Sequence, residues 1–274
     1  MIVDVKLKES RFEWSPIAKD FQNVRRILEP AQLATKNWYE RYGQFKMTVN
    51  PDSNELKKYS DEYQKIRLHE MDLGIDYIRK KSGSFSLMVL GPFSNRLKVR
   101  QIEELFDSLD VKIQHTSTGK EFCKSIDRMN AVQIGKVALD FSARDTSGNL
   151  VSLSSLKGNI YYWIFFASWC GPCSDENQYV VKTYQKFKTK NFDILVISLD
   201  DESRKEKWIN AIKEDQLECL QVSDLKGWQS EIAELYHIRG VPQNFLLNPE
   251  GVIIVSNLSG SGTKKSNSFG VAFL

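Results

Sequence analysis

The sequence predicts an α/β fold, a mixed central sheet flanked by helices, preceded by a mainly α-helical region. Three observations predict it. Apolar residues recur at helical spacing through roughly the first 130 residues. After Ile134-Gly135 short apolar strands alternate with helices and end in a hairpin. A Cys-x-x-Cys stands between one such strand and the helix that follows it. The 274 residues suffice for two ordinary domains. The pattern divides them into a helical region over 1–131, an α/β domain over 132–258 and an atypical low-complexity tail over 259–274.

Val3, Val5 and Leu7 alternate with charged residues and read as a strand fragment, an edge strand or the remnant of an upstream β-domain. Ser15-Pro16 suits an N-cap with proline at the first helical position. Ile17, Phe21, Val24 and Leu28 then mark an amphipathic helix that Pro30 punctuates. Helical spacing returns at Leu56, Tyr59, Tyr63 and Ile66, at Leu97, Ile102, Leu105 and Phe106, and at Phe122, Ile126 and Met129. Phe141 to Val151 reads as a hairpin around Asp145-Thr-Ser-Gly148. Ile160 to Phe166 is an apolar strand, and the following helix puts Val180, Tyr184 and Phe187 on one face. Asp193 to Leu199 is a second buried strand. Ser203 and Glu206 form a capping box ahead of Trp208, Ile209 and Ile212. A helix over Gly227 to Tyr236 leads to Val241-Pro242, and the turn Asn248-Pro-Glu-Gly251 joins two last strands.

Composition narrows the function. With 38 Lys and Arg against 35 Asp and Glu, the formal charge of +3 gives no footprint of a nucleic-acid binder. The longest apolar run, Ile160 to Ala167, falls well short of the roughly 20 residues of a membrane-spanning helix. Met1 to Ser10 lacks the apolar core of a secretory signal. Four cysteines, at 123, 170, 173 and 219, are too few for the disulfide framework of a small secreted scaffold.

The informative segment is Trp169-Cys170-Gly171-Pro172-Cys173. Residues three apart on a first helical turn bring two sulfurs within reach of a disulfide. Cys170 would sit at the helix N-terminus, where unpaired N–H groups and the macrodipole favour a thiolate, which makes it the expected nucleophile. Cys173, one turn in, suits a buried resolving thiol. Pro172 removes a donor the helix start does not need. Trp169, beside the nucleophile, is placed to shape a substrate surface. A zinc site would need two more ligands, and Cys123, Cys219, His69, His115 and His237 supply no second pair. A cysteine hydrolase built on Cys170 and His237 would leave Cys173 without a purpose. Cys123 and Cys219 read as helical or core thiols, and Trp208 and Trp228 as packing residues.

Trp-Cys-Gly-Pro-Cys after Trp163-Ile-Phe-Phe-Ala-Ser168 resembles the active-site strand and loop of the thioredoxin superfamily. Ile134-Gly-Lys136, Asp140-Phe141, Val151 to Gly158 and the segments between 193 and 236 resemble its TlpA/ResA-like branch of thiol-disulfide oxidoreductases. The resemblance implies a thioredoxin-like fold over 132–258 and reduction of protein disulfides in the cell envelope, cytochrome c maturation substrates among them. It also implies an upstream thiol reductant, no nucleic acid and no cofactor. Gly171 and Pro172 resemble the loop of the reducing members. Gly240-Val241-Pro242 takes the place of the cis-proline loop, whose backbone, at Val241 and Pro242, receives substrate. Glu176 takes the place of the acidic residue that handles the proton of the buried thiol, while complementing the helix start is its other reading. The buried aspartate of thioredoxin itself is replaced by Ile164.

Leu139 and Gln178 stand where the branch carries prolines. Ser259 to Gly270 does not read as the C-terminal helix that closes one face of such a sheet; a truncated or frame-shifted gene would explain this end together with the orphan strand and missing signal at the other. Two other functions compete. A peroxiredoxin-like thiol peroxidase would need Thr or Ser three residues before Cys170 and a proline further upstream, where Ala167 and Trp163 stand. A non-enzymatic envelope binding protein would carry a degenerate redox module.

Overall fold

The computed structural model describes residues 16–47, 53–81, 85–94, 96–156 and 158–258, so the fragment at Val3 to Leu7, the cap at Ser15 and the tail from 259 lie outside the described residues. The chain divides into two compact units, Met1–Ile126 and Asp127–Leu274.

In the first unit α1 (Pro16–Lys46) and α2 (Ser53–Lys80) pack side by side, followed by α3 (Ser86–Phe93), α4 (Val99–Asp107) and α5 (Val111–Gln114). α6 (Ser117–Ala131) begins in this unit and runs past its end at Ile126; its Phe122 ring stacks on Phe106 of α4 at 5.6 Å. Pro30 does not end α1; it lies inside the helix. Packing beyond it accounts for this: Trp38 is buried, stacks on Tyr42 and meets Tyr63, each at 4.6 Å, and donates its indole N–H to the Tyr59 carbonyl at 2.9 Å. Burying aromatic surface of this size offsets the backbone hydrogen bond that a proline withholds. At Gly74 of α2 a Cβ would come within 2.2 Å of the Phe93 ring, so glycine is what lets α3 approach. None of the described helices is long and apolar enough to cross a membrane.

Among the described residues of the second unit, seven strands form one mixed sheet in the order β2-β1-β5-β4-β3-β6-β7. They are β1 (Ser142–Asp145), β2 (Leu150–Ser152), β3 (Ile160–Phe166), β4 (Phe192–Ser198), β5 (Leu220–Ser223), β6 (Gln243–Leu247) and β7 (Ile253–Ser256). β3, β4 and β5 run parallel, joined by α7 (Gly171–Phe187) and α8 (Lys205–Glu214); β1 and β6 flank them antiparallel. The core is the near-continuous apolar run of β3 and β4, with Tyr162 to Phe165 and Ile194 to Ile197 essentially inaccessible. Strands covered on both faces read this way. Tyr236, after α9 (Glu231–Leu235), closes the core by packing on Trp163 at 5.3 Å and donating its hydroxyl to the Leu139 carbonyl.

The sheet is the mixed one expected, with one strand more than the pattern showed. β5 reads Leu-Gln-Val-Ser, yet Gln221 and Ser223 are both buried; the Ser223 hydroxyl donates to the Ser198 carbonyl of β4 at 2.9 Å. The capping box at Ser203 does not form. Ser203 lies in a 3-10 turn, its hydroxyl donates to Asp201 at 2.5 Å, and α8 starts with Arg204 as its cap. The helix expected over 227–236 is a 3-10 turn at Gly227–Gln229 followed by α9, because Ser230 caps the Ala233 N–H and restarts the helix.

Candidate active site

β3 leaves the sheet at Phe166, turns through Ala167, Ser168 and Trp169, and enters α7 with Cys170 as its N-cap. The Cys170 N–H donates to the Ala167 carbonyl at 3.0 Å, which closes the turn. Cys170 and Cys173 are joined by a disulfide with Cα atoms 5.2 Å apart. Cys170 Sγ accepts the Cys173 N–H at 3.2 Å, a helix-start donor that the sulfur shares with the Cys170 carbonyl at 3.0 Å. Pro172 fills a first-turn position where no donor is required. Cys173 is fully buried and Cys170 keeps 7% of its surface.

The second wall comes from β6. The Val241–Pro242 bond is cis, and the Val241 carbonyl oxygen lies 3.6 Å from Cys170 Sγ. The antiparallel register that pairs Phe165 with Gln243 brings this loop to the end of β3. Trp169, Gly171 and Pro172 are exposed; Val241 and Pro242 are half-buried. These residues therefore share one rim around the disulfide.

Glu176 is half-buried on the next turn of α7. It acts electrostatically on the Tyr162 phenol of β3, whose ionisation is pushed well up first by burial and then by this carboxyl. Ile164 is fully buried and offers no proton acceptor beneath the helix. Beside Cys173, the buried Asn177 side chain donates to Asp215 at 2.6 Å, and Ser174 reaches the same carboxyl at 3.3 Å.

Two residues near the dithiol escaped the sequence reading. Asp200, fully buried just beyond β4, accepts from the Ser168 N–H at 2.9 Å, the Ser168 hydroxyl at 2.7 Å and the Ser198 hydroxyl at 2.8 Å. Trp228 is not a core residue like the buried Trp208. It is 53% exposed, with its ring 6.0 Å from that of Trp169. Its signal, a tryptophan after Lys226-Gly227 in a turn, is indistinguishable from packing in one dimension. Cys123 is exposed on α6, and Cys219 is buried, which pushes its thiol up to about 12. Among the described residues no group of three or more His, Cys, Asp and Glu could hold a metal ion.

The AhpC/TSA family profile matches residues 134–256. Thiol-disulfide oxidoreductase ResA of Bacillus thuringiensis subsp. konkukian is 30% identical over 134 residues, 49% of this chain and 74% of that protein. ResA of Bacillus subtilis is 28% identical over 124 residues, 45% of this chain and 66% of that protein. Among solved structures, the thioredoxin domain of a Bacteroides vulgatus thiol-disulfide oxidoreductase is 35% identical and covers 49% of this chain and 94% of its own, with a TM-score of 0.44. A Bacteroides fragilis thiol-disulfide oxidoreductase is 33% identical and covers 51% and 100%, with a TM-score of 0.45. A ResA relative matched at this identity over three quarters of its length decides the matter: the chain belongs to the TlpA/ResA-like thiol-disulfide oxidoreductases of the thioredoxin superfamily.

Proposed function

We propose that this oxidoreductase reduces protein disulfides with Cys170 as nucleophile and Cys173 as resolving thiol. One observation carries the assignment of roles: the sulfur of Cys170, not that of Cys173, caps α7 and accepts a helix-start N–H. A thiolate there is stabilised by the hydrogen bond and the positive end of the helix. The Cys170 thiolate attacks one sulfur of a substrate disulfide and expels the other as a thiolate, leaving a mixed disulfide. Cys173, deprotonated, then attacks the Cys170 sulfur, frees the reduced substrate and closes the Cys170–Cys173 bond. Two electrons and two protons pass to the substrate, and an upstream thiol reductant restores the dithiol.

Glu176 takes the Cys173 proton in this scheme, its half-buried position one turn along α7 supporting that role. Trp169, Gly171, Pro172, Val241 and Pro242 receive the substrate segment, whose backbone would lie along the Val241 carbonyl. The chemistry is carried by the 132–258 module, with 1–131 a separate helical region, and the protein works in the cell envelope. Ala167 carries no hydroxyl and Trp163 is not a proline, so these positions do not supply the groups that activate and orient a peroxide.

The test is reduction of insulin disulfides by the purified chain with dithiothreitol as electron donor. Activity that Cys170→Ser abolishes is the expected result. Peroxide turnover without insulin reduction, or inactivity of a demonstrably folded sample, would overturn the assignment.

A further inference from the structure

Trp169 and Trp228 both stand in solvent, 42% and 53% exposed, with rings 6.0 Å apart and inclined at 51°. Each is delivered by its own device, and both devices meet at the corner Asp200-Asp201. The Asp200 carboxyl takes the backbone N–H and the hydroxyl of Ser168, which fixes the residue immediately before Trp169. The Asp200 carbonyl accepts the Gly227 N–H at 3.3 Å, and Asp201 forms an isolated antiparallel bridge with Lys226. Leu225 and Gly227 are both left-handed, with φ of 54° and 57°. Leu225 is fixed there by packing against the core and by its N–H, which donates to the Ser223 hydroxyl at 3.0 Å. The Lys226 ammonium is engaged by Glu231 at 2.5 Å. The fold thus holds a large apolar side chain out of the core and against a second one, adjacent in sequence to the nucleophile.

We infer that Trp228, held against Trp169 by the Asp200-Asp201 corner, is a specificity-determining residue. It receives an aromatic side chain of the substrate polypeptide flanking the cysteine under attack. Two rings at this separation and tilt offer faces and edges to a third, and aromatic groups pack in such inclined arrangements. Exposed tryptophans of this kind carry a large share of recognition at protein surfaces. The inference rests on the proposed disulfide-reducing role of Cys170 and names the chemistry that role would prefer.

The test compares wild type, Trp228→Ala and Trp228→Phe on three peptide disulfides that differ only in the residue flanking the cysteine, Phe, Ser or Arg. Hydroxyethyl disulfide serves as a substrate too small to reach the rings. Trp228→Ala should lower kcat/KM for the Phe peptide about five- to tenfold. It should leave the Ser peptide and hydroxyethyl disulfide within about twofold of wild type, and Trp228→Phe should restore most of the preference. A wild-type preference for Arg over Phe would reassign the rings to a cation and overturn the inference. Equal rates of wild type and Trp228→Ala on the Phe peptide would overturn the inference alone. Failure of the wild type to reduce any of the peptides would overturn it together with the disulfide-reducing role.

Discussion

The strongest consequence of the helix start is the ionisation of Cys170, isolated in a Cys123→Ser, Cys173→Ser double variant. Cys219 is silent in such a measurement because burial pushes its thiol up to about 12. Two effects stabilise the thiolate. An anion at a helix N-terminus gains about 0.3 to 1 kcal/mol, and a hydrogen bond to a charged acceptor, here the N–H of residue 173 at 3.2 Å, contributes about 1.5 to 3 kcal/mol. Against them stands desolvation of a sulfur with 7% of its surface left. A net of about 2 kcal/mol corresponds to roughly a 30-fold shift in the thiolate-to-thiol ratio. An unperturbed cysteine is a few per cent thiolate at pH 7, so about half of Cys170 should be ionised there. Thiolate absorbance at 240 nm, read against pH in the folded variant, measures this directly. A folded sample with less than about a tenth of Cys170 ionised at pH 7 would refute the reasoning, since neither the hydrogen bond nor the dipole would be acting on the sulfur.

Three further outcomes are expected. Burial first, and the neighbouring Arg239 and Arg128 after it, hold the His237 imidazole down to about 4, whereas an unfolded histidine titrates near 6.5. The unfolded chain therefore binds the extra proton between those values. The stability contribution is complete above about pH 6.5 and is lost as pH falls toward 4, by at most about 3 kcal/mol, in urea midpoints that His237→Asn should flatten. Iodoacetamide at pH 8 should modify Cys123 in the native oxidised chain and Cys219 only after unfolding, as read by mass spectrometry, because the first is exposed and the second buried. Asp200→Ala removes the acceptor of three donors at 2.7 to 2.9 Å; the expected loss is about 3 to 5 kcal/mol in denaturant unfolding, and a loss under about 1 kcal/mol would contradict the network.

What could be read in one dimension follows from how local its physics is. β3 announces itself through an unbroken apolar run, and the β1–β2 hairpin through Asp145-Thr-Ser-Gly148, where Asp145 accepts the Ser147 and Asn149 N–H groups. β5 does not, because Gln221 donates to the Cys219 sulfur just ahead of the strand and Ser223 to the Ser198 carbonyl of β4, partners that no pattern of polarity reveals. Pro30 reads as punctuation, yet α1 continues past it where aromatic packing outweighs the local penalty.

The same distinction separates the two halves of the site. The dithiol is legible because its geometry is a property of one helical turn: four consecutive residues, a sulfur at the cap, and an N–H three positions on. What holds that turn in place is not local. Asp200 reaches Ser168 across 32 residues of chain, and in the sequence it is one more acidic residue where a strand gives way to a loop. Only its complete burial with three donors around one carboxyl distinguishes it from a solvated turn aspartate. Trp228 is the converse, since an aromatic residue in a chain segment of mixed polarity carries a presumption of burial that only coordinates can remove. Reactivity in this fold is therefore written in a contiguous motif, whereas its orientation and choice of partner depend on residues that the parallel β3–β4 pairing brings up to the motif from beyond β4.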